Sequence, residues 1–175
     1  YSNQYYPTKK LNILYAIIGE NHLTYHWTFK QRLASFHLLA GKTSLEESQV
    51  LVRLDLKKDF IAQIAELKAM RSIWSMKGRR PQDLIILAHL DESSFTNTDI
   101  HPLIICNYLL MSAYMGMCDF ASGIPNLPNE ELARLSLNIQ HIFKEESSLD
   151  AVLDPTSGAY VIETLTAEMI KSVGH

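Results

Sequence analysis

Leu84-Ile85-Ile86-Leu87-Ala88-His89-Leu90 is apolar from end to end apart from one histidine, and it opens into the polar stretch Asp91-Glu92-Ser93-Ser94-Phe95-Thr96-Asn97. Behind the turn Arg79-Arg80-Pro81-Gln82, a run of this length and composition reads as a strand covered on both faces. Near-continuous apolar strands belong to parallel sheets, since an antiparallel strand with one wet face alternates apolar and polar residues.

Working outward, Leu11 to Ile18 repeats the pattern and ends at Gly19, which predicts a first strand, and Met117 to Ser122 predicts a brief third. The segments between them carry helical periodicity. Apolar residues from His22 to Ala40 recur at helical steps, with Gly41 at the C-cap position. Thr43-Ser44-Leu45-Glu46-Glu47 resembles a capping signal, which predicts a short second helix running to Leu54. From Asp55 to Lys77, Phe60, Ile64, Leu67 and Trp74 form a stripe opposite Lys57, Lys58, Gln63 and Glu66, and Gly78 ends that helix. Asp99 can cap a helix with Pro102 in its first turn that reaches Met115. Beyond Gly123-Ile124-Pro125-Asn126-Leu127-Pro128, a helix capped by Asn126 or Asn129 runs to Phe143, and a closing helix spans Tyr160 to Ser172.

Apolar strands separated by helices argue for parallel βα units, hence an α/β fold. Three predicted strands are too few for an eight-stranded barrel of about 250 residues, yet they fit a portion of one. The expected organisation is a single domain over residues 1–175, with a lead segment 1–10, βα units over 11–143, and a connecting loop with a C-terminal helix over 144–175. Tyr1 to Pro7 carry no start methionine and no signal or transit pattern, which is read as a piece of a longer polypeptide.

Composition excludes several partners. The chain of 175 residues is 47% hydrophobic and 20% charged, with 16 Lys+Arg against 19 Asp+Glu, a formal net charge of −3. No basic stripe follows a phosphate backbone, so nucleic acid is not expected. The longest apolar run, Leu103 to Met117, is broken by Asn107, Ser112 and Gly116 and falls short of the roughly 20 residues of a membrane helix, so no membrane partner is expected. Cys106 and Cys118 match neither a disulfide framework nor zinc spacing, which points to reduced thiols and a cytoplasmic location.

His22 and His26 stand one helical turn apart, but Leu23 occupies the place of the general-base glutamate of H-E-x-x-H enzymes. His37 lies on the order of 16 Å further along, so a shared metal ion is not expected. No G-x-G-x-x-G or P-loop pattern occurs. The basic cluster of Lys77, Arg79 and Arg80 can meet an anion such as a CoA phosphate, though a solvated turn explains so small a group equally well. The residues nearest to a catalytic set are His89 with Asp91, and Cys118 with Asp119, because strand ends carry the chemistry of barrel enzymes. None is assigned a catalytic role, and Cys118 reads more simply as a small core residue.

A resemblance sharpens these readings. Ala133-Arg134-Leu135-Ser136-Leu137-Asn138-Ile139-Gln140-His141-Ile142-Phe143-Lys144-Glu145-Glu146-Ser147 is similar to the run R-x-x-x-N-x-Q-x-x-x-x-E-E-S of the methylmalonyl-CoA mutase family. Asp154-Pro155 and Ser157-Gly158-Ala159-Tyr160-Val161-Ile162-Glu163-Thr164-Leu165-Thr166 resemble its D-P-x-x-G-S-Y-x-x-E-x-L-T. Phe60 to Trp74 is similar to the helix F-x-x-x-I-A-K-L-R-A-x-R-x-L-W, with Glu66 in place of lysine. With a looser likeness from Leu11 onward, the resemblance implies the later part of a TIM-type (β/α)8 barrel. It also implies an isomerase family whose members rearrange methylmalonyl-CoA and succinyl-CoA with adenosylcobalamin.

The departures from the family pattern imply a subunit without the catalytic groups. Catalytic members carry a T-Q-S-L-H-T-N loop where this chain has Met117-Cys118-Asp119-Phe120-Ala121-Ser122-Gly123. They carry an arginine before the strand-end histidine, where Leu87-Ala88 precede His89, and an S-G-W segment where Ser93-Ser94-Phe95 stand. The cobalamin motif D-x-H-x-x-G does not occur. The resemblance therefore implies the small, non-catalytic subunit, with no cofactor of its own and adenosylcobalamin in a catalytic partner subunit. Separately, the exposed strand edges of an isolated fragment invite self-association. An active acyl-CoA mutase of altered range, using His89, Cys118 and Asp119, and a free-standing CoA-binding module are the alternatives.

Overall fold

In the computed structural model, residues 13–18, 28–41, 49–95, 100–122, 130–149 and 151–173 are described. The elements follow as β1 (Ile13–Ile18), α1 (Phe29–Ala40), β2 (Gln49–Asp55), α2 (Phe60–Met76), β3 (Leu84–His89), α3 (Pro102–Met115), β4 (Phe120–Ser122), α4 (Glu130–Glu145) and α5 (Tyr160–Lys171). The four strands form one sheet in the order β1-β2-β3-β4, every neighbouring pair parallel. The α/β class and the parallel pairing expected from apolar strands are what the chain shows.

β2 corrects the expected short helix ending at Leu54. Gln49–Asp55 pairs with β1 from Gln49 to Leu54 and with β3 from Val50 to Asp55, so its backbone is hydrogen-bonded on both sides. Val50 and Val52 are branched at Cβ and favour the pleated backbone, and burial alternates along the strand with Val50, Val52 and Leu54 fully covered. Residues 43–48, where the capping signal falls, lie outside the described residues, as do His22, His26, Asp99, Asn126, Asn129 and the turn from Gly123.

Local chemistry places the helix ends. Thr28 accepts from the Gln31 amide N–H while the Gln31 side chain accepts from the Thr28 N–H, a reciprocal capping box that starts α1 seven residues after His22. Gly41 closes α1 through its N–H to the His37 carbonyl at 3.1 Å. The Asp59 carboxylate accepts from Ala62 N–H at 3.1 Å, so α2 begins at Phe60 rather than at Asp55. His101 caps α3 by accepting at Nδ1 from Leu103 N–H.

The helices cover one face of the sheet. Val50, Val52 and Leu54 of β2 with Leu84 and Ile86 of β3 pack against Leu33, Phe36 and Ala40 of α1 and Leu67, Met70 and Trp74 of α2. Ala88, Leu90 and Leu56 pack against Ile105, Cys106, Leu109 and Ala113 of α3 and Phe143 of α4. Removing these side chains from water, at about 25 cal/mol per Å² of apolar area, is the main favourable term holding the layers together. The alternate residues Leu51, Arg53, Ile85, Leu87 and His89 point to the other face and are only half-buried, while Phe120 is 59% exposed.

Two further contacts join distant segments. Lys68 of α2 donates to Asp154 Oδ2 at 2.9 Å and to Thr156 Oγ1 at 3.1 Å, fastening the connecting stretch before α5 onto α2. Gly116 lies against Leu67, and a Cβ built there would sit 2.5 Å from Leu67 Cδ1 and 2.9 Å from Leu67 Cβ, so only glycine permits α3 to end this close to α2.

Candidate functional site at the C-terminal edge of the sheet

Asp55, His89 and Ser122 end β2, β3 and β4, and the register pairs Asp55 with His89 and His89 with Ser122. A carboxylate, an imidazole and a hydroxyl thus occupy one row across three adjacent strands. His89 Nδ1 and Ser122 Oγ lie 2.5 Å apart, and Ser122 Oγ stands 3.4 Å from the Ala88 carbonyl oxygen, to which it can donate. Arg53 Nε lies 3.5 Å from Asp55 Oδ1, on the same face two residues earlier. Burial, with a smaller push from the neighbouring Asp91, raises the Asp55 carboxyl to about 6 against the opposing pull of Arg53 and Arg32.

A buried ionic network holds this edge from behind. Arg32 of α1 donates through Nη1 to the Asp55 carbonyl at 2.6 Å and through Nε and Nη2 to the two carboxylate oxygens of Glu66 in α2. Gln63 Nε2 donates to Glu66 Oε2 at 3.0 Å, and Gln63 Oε1 accepts from Lys57 N–H at 2.8 Å. Arg32 is 1% and Glu66 0% exposed. Burial pushes Glu66 upward in pKa, and the fork of Arg32 with the amide of Gln63 opposes that rise by stabilising the anion. Burial likewise lowers the Lys57 ammonium, with Arg32 adding repulsion. The network sets where β2 stops, and so where Asp55 stands in the row.

Cys118 and Asp119 lie at the opposite end. They precede β4, beside the middle of β3, and so stand away from the edge occupied by His89. Asp119 Oδ2 accepts from Ile86 N–H at 2.6 Å and from Arg71 Nη2 at 2.9 Å, while Arg71 Nε donates to the Met117 carbonyl at 2.9 Å. Asp119 thereby extends the strand ladder with its side chain. Burial pushes the Cys118 thiol up to about 12, and Asp119 adds to the effect, so the thiol is protonated at neutral pH and a poor nucleophile. Cys106 is buried and pushed up to about 12 for the same reason.

The basic cluster forms a third location. Lys77, Arg79, Arg80, Gly41 and Asp83 line a cavity of about 410 Å³ beside the entry to β3. Arg80 forms a fork with Asp83, through Nε at 2.8 Å and Nη2 at 3.1 Å, and the Arg79 guanidinium lies 6.0 Å above the Trp74 ring. His37 is half-buried on α1, and among the described residues no three His, Cys, Asp or Glu side chains gather in a way that could hold a metal ion.

Of the residues singled out by sequence, the structure joins His89 to a strand-end row and separates it from Cys118 and Asp119. Ser122, Asp55, Arg53 and Arg32 were not singled out. Ser122 carried a signal, being the last residue of a predicted strand, whereas Asp55 and Arg53 were hidden by reading their strand as a helix.

These features define an α/β protein with a parallel sheet, helices on one face, and polar groups gathered at the C-terminal strand ends. The family model described as methylmalonyl-CoA mutase matches residues 47–175, and the chain belongs to that family. It is 30% identical over 129 residues to the methylmalonyl-CoA mutase of Escherichia coli, covering 65% of this chain and 18% of that protein. It is 28% identical over 127 residues to that of Cereibacter sphaeroides, covering 63% of this chain and 18% of the relative. With the human mitochondrial methylmalonyl-CoA mutase it shares 27% identity over 128 residues, 63% of this chain and 17% of the relative. The chain thus spans less than a fifth of the length of these curated relatives. The family is cobalamin-dependent. Lys68 and Asp154, which the structure ties together, both lie within the residues that the family model matches. No helix among the described residues is long and apolar enough to cross a membrane.

Proposed function

We propose that this chain is the later part of a TIM-type (β/α)8 barrel, acting as the non-catalytic small subunit of a cobalamin-dependent methylmalonyl-CoA mutase, or as a piece of that subunit. In this reading residues 1–175 form one partial barrel domain in the cytoplasm. It supports a catalytic subunit that carries adenosylcobalamin and interconverts methylmalonyl-CoA and succinyl-CoA. The observation that carries the reading is the face of the sheet turned away from the helices. Leu51, Ile85, Leu87 and Phe120 occupy it, and His89 stands at its edge without the arginine and glutamine that the family resemblance leads one to expect there. A barrel keeps its fold through the packed face and its chemistry through the strand ends, so the second can be lost while the first persists.

An active mutase of altered range is less well supported. Two of its three candidate groups, Cys118 and Asp119, precede β4, and Asp119 is engaged by Ile86 and Arg71. Co-expression with a catalytic mutase subunit tests the proposal. A stable complex is expected on size exclusion, with mutase turnover only when the partner is present; isomerisation by this chain alone overturns it.

A further inference from the structure

The strand-end row holds a pairing that the subunit role does not use. Ser122 Oγ lies 2.5 Å from His89 Nδ1, both side chains are half-buried rather than sealed, and Asp55 is the register partner of His89 on its other side. A serine hydroxyl is a weak nucleophile until a base stands within hydrogen-bond reach, and the C-terminal edge of parallel strands is where α/β proteins expose reacting groups. One step below on the same face, Leu87 and Phe120 are register partners, and Phe120 is 59% exposed. A ligand whose carbonyl reaches Ser122 therefore lays an apolar tail over Leu87 and Phe120.

We propose that Ser122 and His89 form a nucleophile–base pair that removes short apolar acyl groups from thioesters or activated esters. The Ser122 hydroxyl gives its proton to His89 Nδ1 as Oγ bonds to the acyl carbon. The bond from carbon to sulfur breaks, and the departing thiolate takes that proton to leave as a thiol. Water then attacks the acyl-serine while His89 accepts its proton; the ester bond to Oγ breaks and the proton returns to Ser122. The net change is thioester plus water to carboxylic acid plus thiol. Asp55 acts as a positioning residue whose negative charge favours the imidazolium.

The test uses the 175-residue chain by itself, so its outcome is independent of whether a mutase partner binds. The chain is incubated with a fluorophosphonate probe and, separately, with p-nitrophenyl acetate and acetyl-CoA. Mass spectrometry is expected to place the phosphonyl adduct on Ser122, and Ser122→Ala to abolish both the adduct and acyl hydrolysis. His89→Gln keeps a hydrogen-bonding group of similar size without a base and is expected to slow labelling by about 100-fold or more. Asp55→Asn is expected to slow it less and to shift the pH profile. No adduct at Ser122 in the unaltered chain, or equal labelling of the His89→Gln variant, overturns the proposal.

Discussion

The two faces of the sheet obey different rules. On the helix side Val50, Val52, Leu54, Leu84, Ile86 and Ala88 are fully or almost fully buried against α1, α2 and α3. On the other side Leu51, Arg53, Ile85, Leu87 and His89 remain half-exposed, and charge collects at the strand ends. The first face is a packed interior in which any change of volume is felt. The second leaves its side chains half-exposed, so a change of volume there disturbs less packing. Fold and activity can therefore diverge along the same strands, one residue apart.

The largest expected effect lies where charge intrudes on the packed side. Glu66→Leu leaves Arg32 buried without its carboxylate and is expected to cost about 3–5 kcal/mol, read from urea unfolding by tryptophan fluorescence. The double variant Arg32→Leu with Glu66→Leu should recover most of that loss. If it does not, the network does more than neutralise charge, and the packed face depends on polar bonds as well as on apolar burial.

Adjacent residues of β3 compare the faces directly. Ile86→Ala opens a cavity beneath α1 and α2 and is expected to cost about 2–5 kcal/mol. Leu87→Ala, one residue on, removes a half-exposed side chain and should cost under about 1 kcal/mol in the isolated chain. Equal losses would show that something covers the open face in solution.

How far these faces were visible in the sequence follows from their chemistry. A strand apolar end to end, such as Leu84 to Leu90, announces a parallel sheet without alignment or coordinates. β2 did not, because Arg53 interrupts its apolar run and the Thr43 to Glu47 stretch imitates a helix start. Pairing on both sides overrode that local signal. The strand-end row was harder still, since Asp55, His89 and Ser122 are separated by more than thirty positions at each step and meet only through register. Asp119 shows the converse, a polar residue near a strand whose side chain serves the backbone ladder.

Acid tests the open edge. Asp55 is pushed up to about 6 from 3.8, so the folded chain holds its proton more tightly than the unfolded chain does. Its contribution is fully present below pH 3.8 and is lost as pH rises through about 6. The expected outcome is that Asp55→Asn gains stability relative to the parent chain by about 1–3 kcal/mol between about pH 4 and pH 7. Denaturation at matched pH values measures it, and a flat difference would mean that Asp55 is better solvated than its burial implies.

The smallest effect concerns a contact that neither face owns. Lys68 reaches from α2 to Asp154, whose own carboxylate also accepts from Thr156 N–H at 3.0 Å. Although burial works in the opposite sense, the hydrogen bonds from Lys68 and Thr156 leave the Asp154 carboxyl below its usual range, so its stabilisation is present at neutral pH and is lost as pH falls below about 4. Asp154 is partly open to solvent, with 27% of its side chain exposed, which screens the pair. Asp154→Ala is accordingly expected to cost about 1 kcal/mol at neutral pH and nothing measurable in acid. The residues before α5 should also exchange amide hydrogens faster in that variant, because Lys68 fastens Asp154 and Thr156 to α2. Unchanged exchange would place the anchor of that segment in the packing of α5 on α2 rather than in the ion pair.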